Sequence, residues 1–207
     1  MKKVPLSEIA YVKIKEKIMR GDFGEENYTS QNQLVEELNM SRTPIVAALQ
    51  RLKQEGFVKI ISNQGIVIQE PTINEINDFF DMRLAIETFS MKQLGDLLTE
   101  EDFENLEEII QDQLECVENK DYLSFAQLDA DYHQYLIQVG GNGLFFQTMA
   151  NIRERLFLKT TYNLKKRQGM ALAIEEHVNI LEALKQGNLE LAVARLDEHI
   201  QNGKIIK

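Results

Sequence analysis

Past Pro71 the chain carries no further proline, and each segment that follows reads as helix. That restricts the last two-thirds of the sequence to an all-α arrangement. Thr72 and Glu75 form a capping-box pattern at the head of one long helix, "INDFFDMRLAIETFSMKQLGDLL". Thr99 opens "TEEDFENLEEIIQDQLECVENK", whose acids cluster in the first turn, where the helix dipole favours them. Further helices are predicted over 121–139, 143–165, 171–186 and 189–202, separated by Gly140-Gly141, Gly169 and Gly187-Asn188. Six helices with short loops predict an antiparallel bundle. No repeat of roughly 20–50 residues is present, which excludes a solenoid.

The first seventy residues are of another kind. Ala10, Ile14 and Ile18 recur at helical spacing among Lys13, Lys15 and Lys17, predicting an amphipathic helix that ends near Gly21. Ser30 with Gln33 three residues on opens a short helix through Leu34, Val35 and Leu38. After a turn at "NMS", Thr43 as N-cap and Pro44 as first helical residue predict a helix through Ile45, Ala48, Leu49 and Leu52, stopped by Gly56. Two β-branched runs, Val58–Ile61 and Ile66–Ile68, flank Asn63-Gln64-Gly65 and predict a hairpin. Three helices and a hairpin describe a winged helix-turn-helix, with the helix from Pro44 to Glu55 suited to the major groove. The element types alone fit either a DNA-binding or a protein-docking winged helix.

Charge separates the same two parts. The net charge of −10 is unusual for a nucleic-acid binder, but residues 1–70 hold 10 Lys and Arg against 9 Asp and Glu. The acidity therefore lies in residues 71–207, and two modules with different partners are expected, divided at 70/71. The single cysteine, Cys116, excludes an internal disulfide and suits a reducing cytoplasm. No apolar run approaches the ~18 residues of a membrane span, and no membrane partner is expected.

The three histidines form a pattern. Asp129 and His133 are four apart and share one helix face. His177 lies ten residues before Gly187, and His199 lies eleven after Asn188. In an antiparallel hairpin such equal distances place both imidazoles at one height, about 15 Å from the turn. Three helices can thus bring a carboxylate and three imidazoles to one point, as bundle cores do when they hold a metal. On geometry alone, a metal site and a satisfied polar core are equally good readings.

"NMSRTPIVAALQRLKQEGFV" followed by "QGIVI" resembles the GntR family of bacterial transcriptional regulators, through Ser41, Arg42, Thr43, Pro44, Leu52, Glu55, Gly56 and Gly65. The resemblance implies DNA contacts from Ser41, Arg42, Thr43, Gln50, Arg51, Lys59, Gln64 and Gly65. Three positions depart from the family's habit: Val46-Ala47 replace its usual Arg-Glu, Asn32 stands where an arginine is common, and Gln64 stands where a basic residue precedes the wing glycine. Loss of a guanine-reading arginine shifts specificity, and fewer cations mean weaker binding.

The second part resembles the FCD ligand-binding domain of the FadR subfamily, in its six-helix, VanR-like form. The resemblance rests on Asp129, His133, Asn142, His177 and His199, and on "MRLAIE" with Arg83 and Glu87. It implies a divalent metal, with Zn, Ni or Mn expected, on Asp129, His133, His177 and His199. A small carboxylate effector is expected over that metal, held by Arg83, Asn142 and Arg153. The expectation is a cytoplasmic homodimer that represses from a palindromic operator and responds to its effector. Two other readings stand beside it: a metal-dependent hydrolase, against which no spare carboxylate is placed as general base, since Asp131 and Glu176 face away; and a winged-helix docking module with weak DNA binding.

Overall fold

The computed structural model describes residues 4–24, 26–62, 65–166 and 169–204. The chain divides into two units, Met1–Pro71 and Thr72–Lys207.

In the first unit, α1 (Leu6–Arg20) buries Ala10, Tyr11, Ile14 and Ile18 and stops at Gly21, whose φ of +72° turns the chain out of the helix. In α2 (Gln31–Leu38), the Ser30 side chain accepts from the Gln33 backbone N–H, as the cap pattern requires. Helix α3 (Arg42–Gln54) begins earlier than the Thr43-Pro44 reading predicts, with Ser41 as the flanking residue. Pro44 still costs nothing, because backbone N–H groups of a first helical turn have no intrahelical acceptor. Ile45, Ala48, Leu49 and Leu52 form its buried stripe. Strands β2 (Val58–Ile61) and β3 (Gly65–Ile68) pair antiparallel in the register Ile60 opposite Ile66. A third strand, β1 (Tyr28–Thr29), joins β3 to give the order β1-β3-β2. It escaped the sequence reading because two residues carry no period. Gly65 has φ +122°, and a Cβ there would lie 2.3 Å from the Tyr28 hydroxyl, so the start of the wing strand also depends on packing against β1.

The second unit is the six-helix bundle: α4 (Ile73–Leu94), α5 (Glu100–Asn119), α6 (Tyr122–Val139), α7 (Gly143–Lys166), α8 (Gly169–Lys185) and α9 (Leu189–Gly203). Reciprocal capping boxes open α4, through Thr72 and Glu75, and α5, through Thr99 and Asp102. Helices α8 and α9 form a hairpin across Gly187, at φ +67°, and Asn188, whose side chain accepts from the Leu191 N–H. Leu94, Leu106, Phe125, Tyr132, Ile137, Ile180 and Leu196 lie in the shared core. Asp129, His133, His177 and His199 are buried within the same bundle.

Candidate metal centre

One ligand atom from each of Asp129, His133, His177 and His199 lies within 4.8 Å of the others. The Nε2 atoms of His133 and His199 are 3.0 Å apart. Asp129 Oδ1 lies 3.5 Å from His177 Nε2 and 3.9 Å from His133 Nε2. Helix α6 supplies the aspartate and first histidine one turn apart, and the α8–α9 hairpin supplies the other two.

The far side of each ring explains its orientation. His177 Nδ1 lies 2.9 Å from the Gln113 amide oxygen on α5. His199 Nδ1 lies 2.7 Å from Glu176 Oε2 on α8. His133 Nδ1 lies 2.6 Å from Glu87 Oε2 on α4, at an angle too bent for a good hydrogen bond. All three neighbours are oxygens that only accept, so a proton on each Nδ1 with the Nε2 lone pair facing inward is the tautomer that ligation would use. Three inward lone pairs and a carboxylate oxygen then crowd one point. His177 Nε2 is buried there without a hydrogen-bond partner. A cation relieves that repulsion, and imidazole nitrogens with one carboxylate are a donor set suited to a transition-series divalent ion. The residues fit a metal, and the cluster is able to hold one.

Electrostatics point the same way. Burial, reinforced by the Arg153 guanidinium, pushes His133 down to about 3, and Glu87 and Asp129 do not offset it. Burial and the neighbouring His199 hold His177 well below its ordinary value. Burial alone would raise the Asp129 carboxyl, but with His133 neutral it is the Arg153 guanidinium that overcomes burial and keeps it well below the usual carboxylate range. Glu87 is likewise held ionised against burial, by the guanidinium groups of Arg83 and Arg153. Neutral imidazoles beside an ionised carboxylate are the protonation state that ligation requires.

The expected effector residues separate in the fold. Arg153 is buried and already engaged, donating to Asp129 Oδ2 at 3.0 Å and to Glu87 Oε1 at 3.2 Å. It orients a ligand of the cluster instead of lining the neighbouring cavity. Asn142 does not reach that cavity either: its side chain accepts from the N–H groups of Leu144 and Phe145 at the start of α7. Both placements have one cause, since a local cap or a nearby carboxylate satisfies each side chain first. Arg83 does reach the cavity. It donates through Nε to Glu87 at 2.9 Å, and its Nη2 is buried without a partner. The cavity, about 130 Å³, is lined by Arg83, Asp129, Glu176 and His199, among others.

The sequence reading placed Glu176 off the site, and this is overturned. The residue before His177 is rotated about 100° around the helix, which points it at α9. There its carboxylate accepts from His199 and from Asn202 Nδ2 at 2.7 Å. Gln113 was overlooked too. Its signal was a polar residue three after Ile110 and seven after Leu106, on the buried stripe of α5.

In the first unit Ser41, Arg42, Thr43, Gln50, Arg51 and Lys59 are all exposed, and Gln64 lies outside the described residues. Arg42 Nη2 donates to Asn32 at 2.9 Å. Arg51 is committed within its own unit: its guanidinium lies 3.6 Å over the Tyr11 ring and pairs with Glu8 and Glu55. Gly65 serves the close approach of Tyr28 described above.

Residues 6–68 match the gntR family of bacterial regulatory proteins, and residues 78–202 match the FCD domain. The HTH-type transcriptional repressor RspR of Escherichia coli K12 is 22% identical over 83% of this chain and 75% of its own. The gluconate operon transcriptional repressor of Bacillus licheniformis is 24% identical over 85% of this chain and 75% of its own. Among solved structures, E. coli McbR/YncC superposes with a TM-score of 0.81 at 19% identity, covering 97% of this chain and 95% of that one. The structure described as Lar, which controls expression of the Listeria monocytogenes agr system, gives 0.70 at 18% identity, covering 99% and 97%. Among the described residues, no helix is long and apolar enough to cross a membrane. The hydrolase reading lapses, since Glu176 is committed to His199 and Asn202 and the matched families are regulators. The chain belongs to the GntR family of bacterial regulatory proteins with an FCD domain, and is a DNA-binding transcriptional regulator.

Proposed function

We propose that the protein is a cytoplasmic homodimeric repressor. Its residues 1–70 read a palindromic operator, and its residues 71–207 carry a divalent metal and a small carboxylate effector. Ser41, Arg42, Thr43, Gln50 and Lys59 meet the DNA together with Gln64 and Gly65. Arg51 braces α3 against α1 and contributes less than its charge suggests. Asp129, His133, His177 and His199 ligate Zn, Ni or Mn. Four protein ligands leave room for a carboxylate on a six-coordinate ion, and the metal's contribution is to anchor that carboxylate. Arg83 receives its free oxygen. Arg153 and Glu87 hold Asp129 and His133 in place. Asn142 caps α7.

The observation that carries this reading is the convergence of three imidazole Nε2 atoms and one carboxylate oxygen beside a cavity that Arg83 also lines. The test is elemental analysis of the purified protein, followed by genomic operator selection with and without added metal. Bound metal and an enriched palindrome are expected. A metal-free protein whose melting temperature ignores Zn, Ni and Mn at neutral pH would overturn the metal assignment; selection without a palindrome would overturn the dimeric operator.

A further inference from the structure

We infer that the effector is a short, apolar monocarboxylate, and that Glu176 is the residue that excludes dianions. The inference rests on the carboxylate-over-metal reading above and narrows it to one chemical class.

Charge comes first. Around the cluster stand three carboxylates, Glu87, Asp129 and Glu176, and two guanidinium groups, Arg83 and Arg153. A divalent ion among neutral imidazoles leaves one net positive charge. A monoanion cancels it. A dianion would leave a negative charge in a site whose charged members are nine-tenths buried or close to it, where charge is costly.

The arrangement of the charges sharpens this. Arg83 donates through Nε to Glu87, and its Nη2 has no partner and is able to take a carboxylate oxygen. Glu176 lines the same cavity, and both its oxygens are held there, Oε2 by His199 and Oε1 by Asn202. Its side chain is therefore fixed. A second carboxylate on the ligand would meet that fixed negative wall without a cation to balance it.

The remaining wall is apolar. Phe80, Leu164, Leu172 and Ala173 line it, and Thr160 is the hydroxyl it offers among the described residues. A polyhydroxylated acid would bring several hydroxyls against groups that cannot pair with them, which is strongly unfavourable. An alkyl tail instead gains from burial. The cavity of about 130 Å³ holds about four waters' worth of liquid, which restricts the ligand to a short chain.

The test is calorimetric titration of the Zn-loaded full-length protein with pentanoate, succinate and gluconate, repeated on His177→Ala. Pentanoate is expected to bind only the metal-loaded wild type, at least about tenfold more tightly than the other two. Metal-dependent binding of succinate or gluconate as tight as pentanoate would overturn the monocarboxylate class while leaving the metal-anchored effector intact. Failure of all three acids, or equal binding to His177→Ala, would overturn the underlying reading and this inference with it. Glu176→Gln keeps the hydrogen-bonding shape and removes the charge. It should raise the affinity for succinate relative to pentanoate by about tenfold. An equal loss for both acids would show that Glu176 only positions His199 and does not select charge.

Discussion

His133 and His199 stand 66 residues apart in the chain, and their Nε2 atoms meet at 3.0 Å. Each ring has a carboxylate oxygen near its other nitrogen, and the Nε2 atoms are at hydrogen-bonding distance, with the donor set by the tautomer. A cation bound between them would take both nitrogens as ligands in place of that hydrogen bond.

Removing one ring should therefore act on metal more than on fold. His177→Ala is expected to abolish the metal-induced rise in melting temperature, a stabilisation of about 2.7 kcal/mol at a hundredfold excess of metal over its Kd. Differential scanning fluorimetry with and without Zn measures it. An undiminished metal shift in the variant would remove His177 from the site.

Gln113 touches no ligand atom of the cluster but fixes the His177 ring at 2.9 Å. Gln113→Leu should weaken metal binding by about 10–100-fold. It should also cost about 1–3 kcal/mol without metal, since His177 Nδ1 loses its buried acceptor. Metal competition titrations and urea melts separate the two effects, and unchanged metal affinity would show that the ring needs no brace.

Acid should destabilise the metal-free protein. His133 sits at about 3 when folded, against an ordinary 6.5. Between those values the unfolded chain binds a proton that the folded chain refuses, so stability is lost as pH falls from about 6.5 towards 3. The slope is about 1.4 kcal/mol per pH unit for each such histidine, and His177 is shifted in the same direction. Denaturant midpoints measured in EDTA from about pH 7 to about pH 4 should decline steadily. A level profile would mean that neither ring is buried neutral.

Two arginines of the first unit should behave differently. Arg42 is exposed at the head of α3, and Arg42→Ala should weaken operator binding and reduce the salt slope by about 1. Arg51 lies over Tyr11 between Glu8 and Glu55. Its removal should cost stability of about 0.5–1 kcal/mol and leave the salt slope nearly unchanged. Fluorescence anisotropy across a salt series, paired with thermal melts, tells them apart; a full unit of slope lost on Arg51→Ala would place it on the DNA.

Local chemistry was enough to read most of the architecture. Thr72 with Glu75, Thr99 with Asp102, and Gly187-Asn188 mark helix ends through hydrogen bonds made within a few residues, so sequence spacing reports them. The same rule put His177 and His199 at one height, because the rise per residue is constant on both arms of a hairpin. Asp129 and His133 shared a face for the same reason.

What remained was set by rotation and by competition. Spacing gives height along a helix but not which neighbour a side chain meets, and so Glu176 on α8 faces α9 and not solvent, and Gln113 on α5 lies behind His177. Residues matched only by type went to whichever partner lay nearer: Asn142 to the start of its own helix, Arg153 to Asp129 and Glu87, Arg51 to Tyr11. Strand β1 is too short to have a period and exists because β3 offers it an edge. The sequence by itself determined the helices, the wing hairpin and the levels of the clustered aspartate and histidines. The tertiary structure decided which partners each charge meets, and left Arg83 Nη2 and Arg153 Nε buried without one, because only packing determines which partners come within hydrogen-bonding reach.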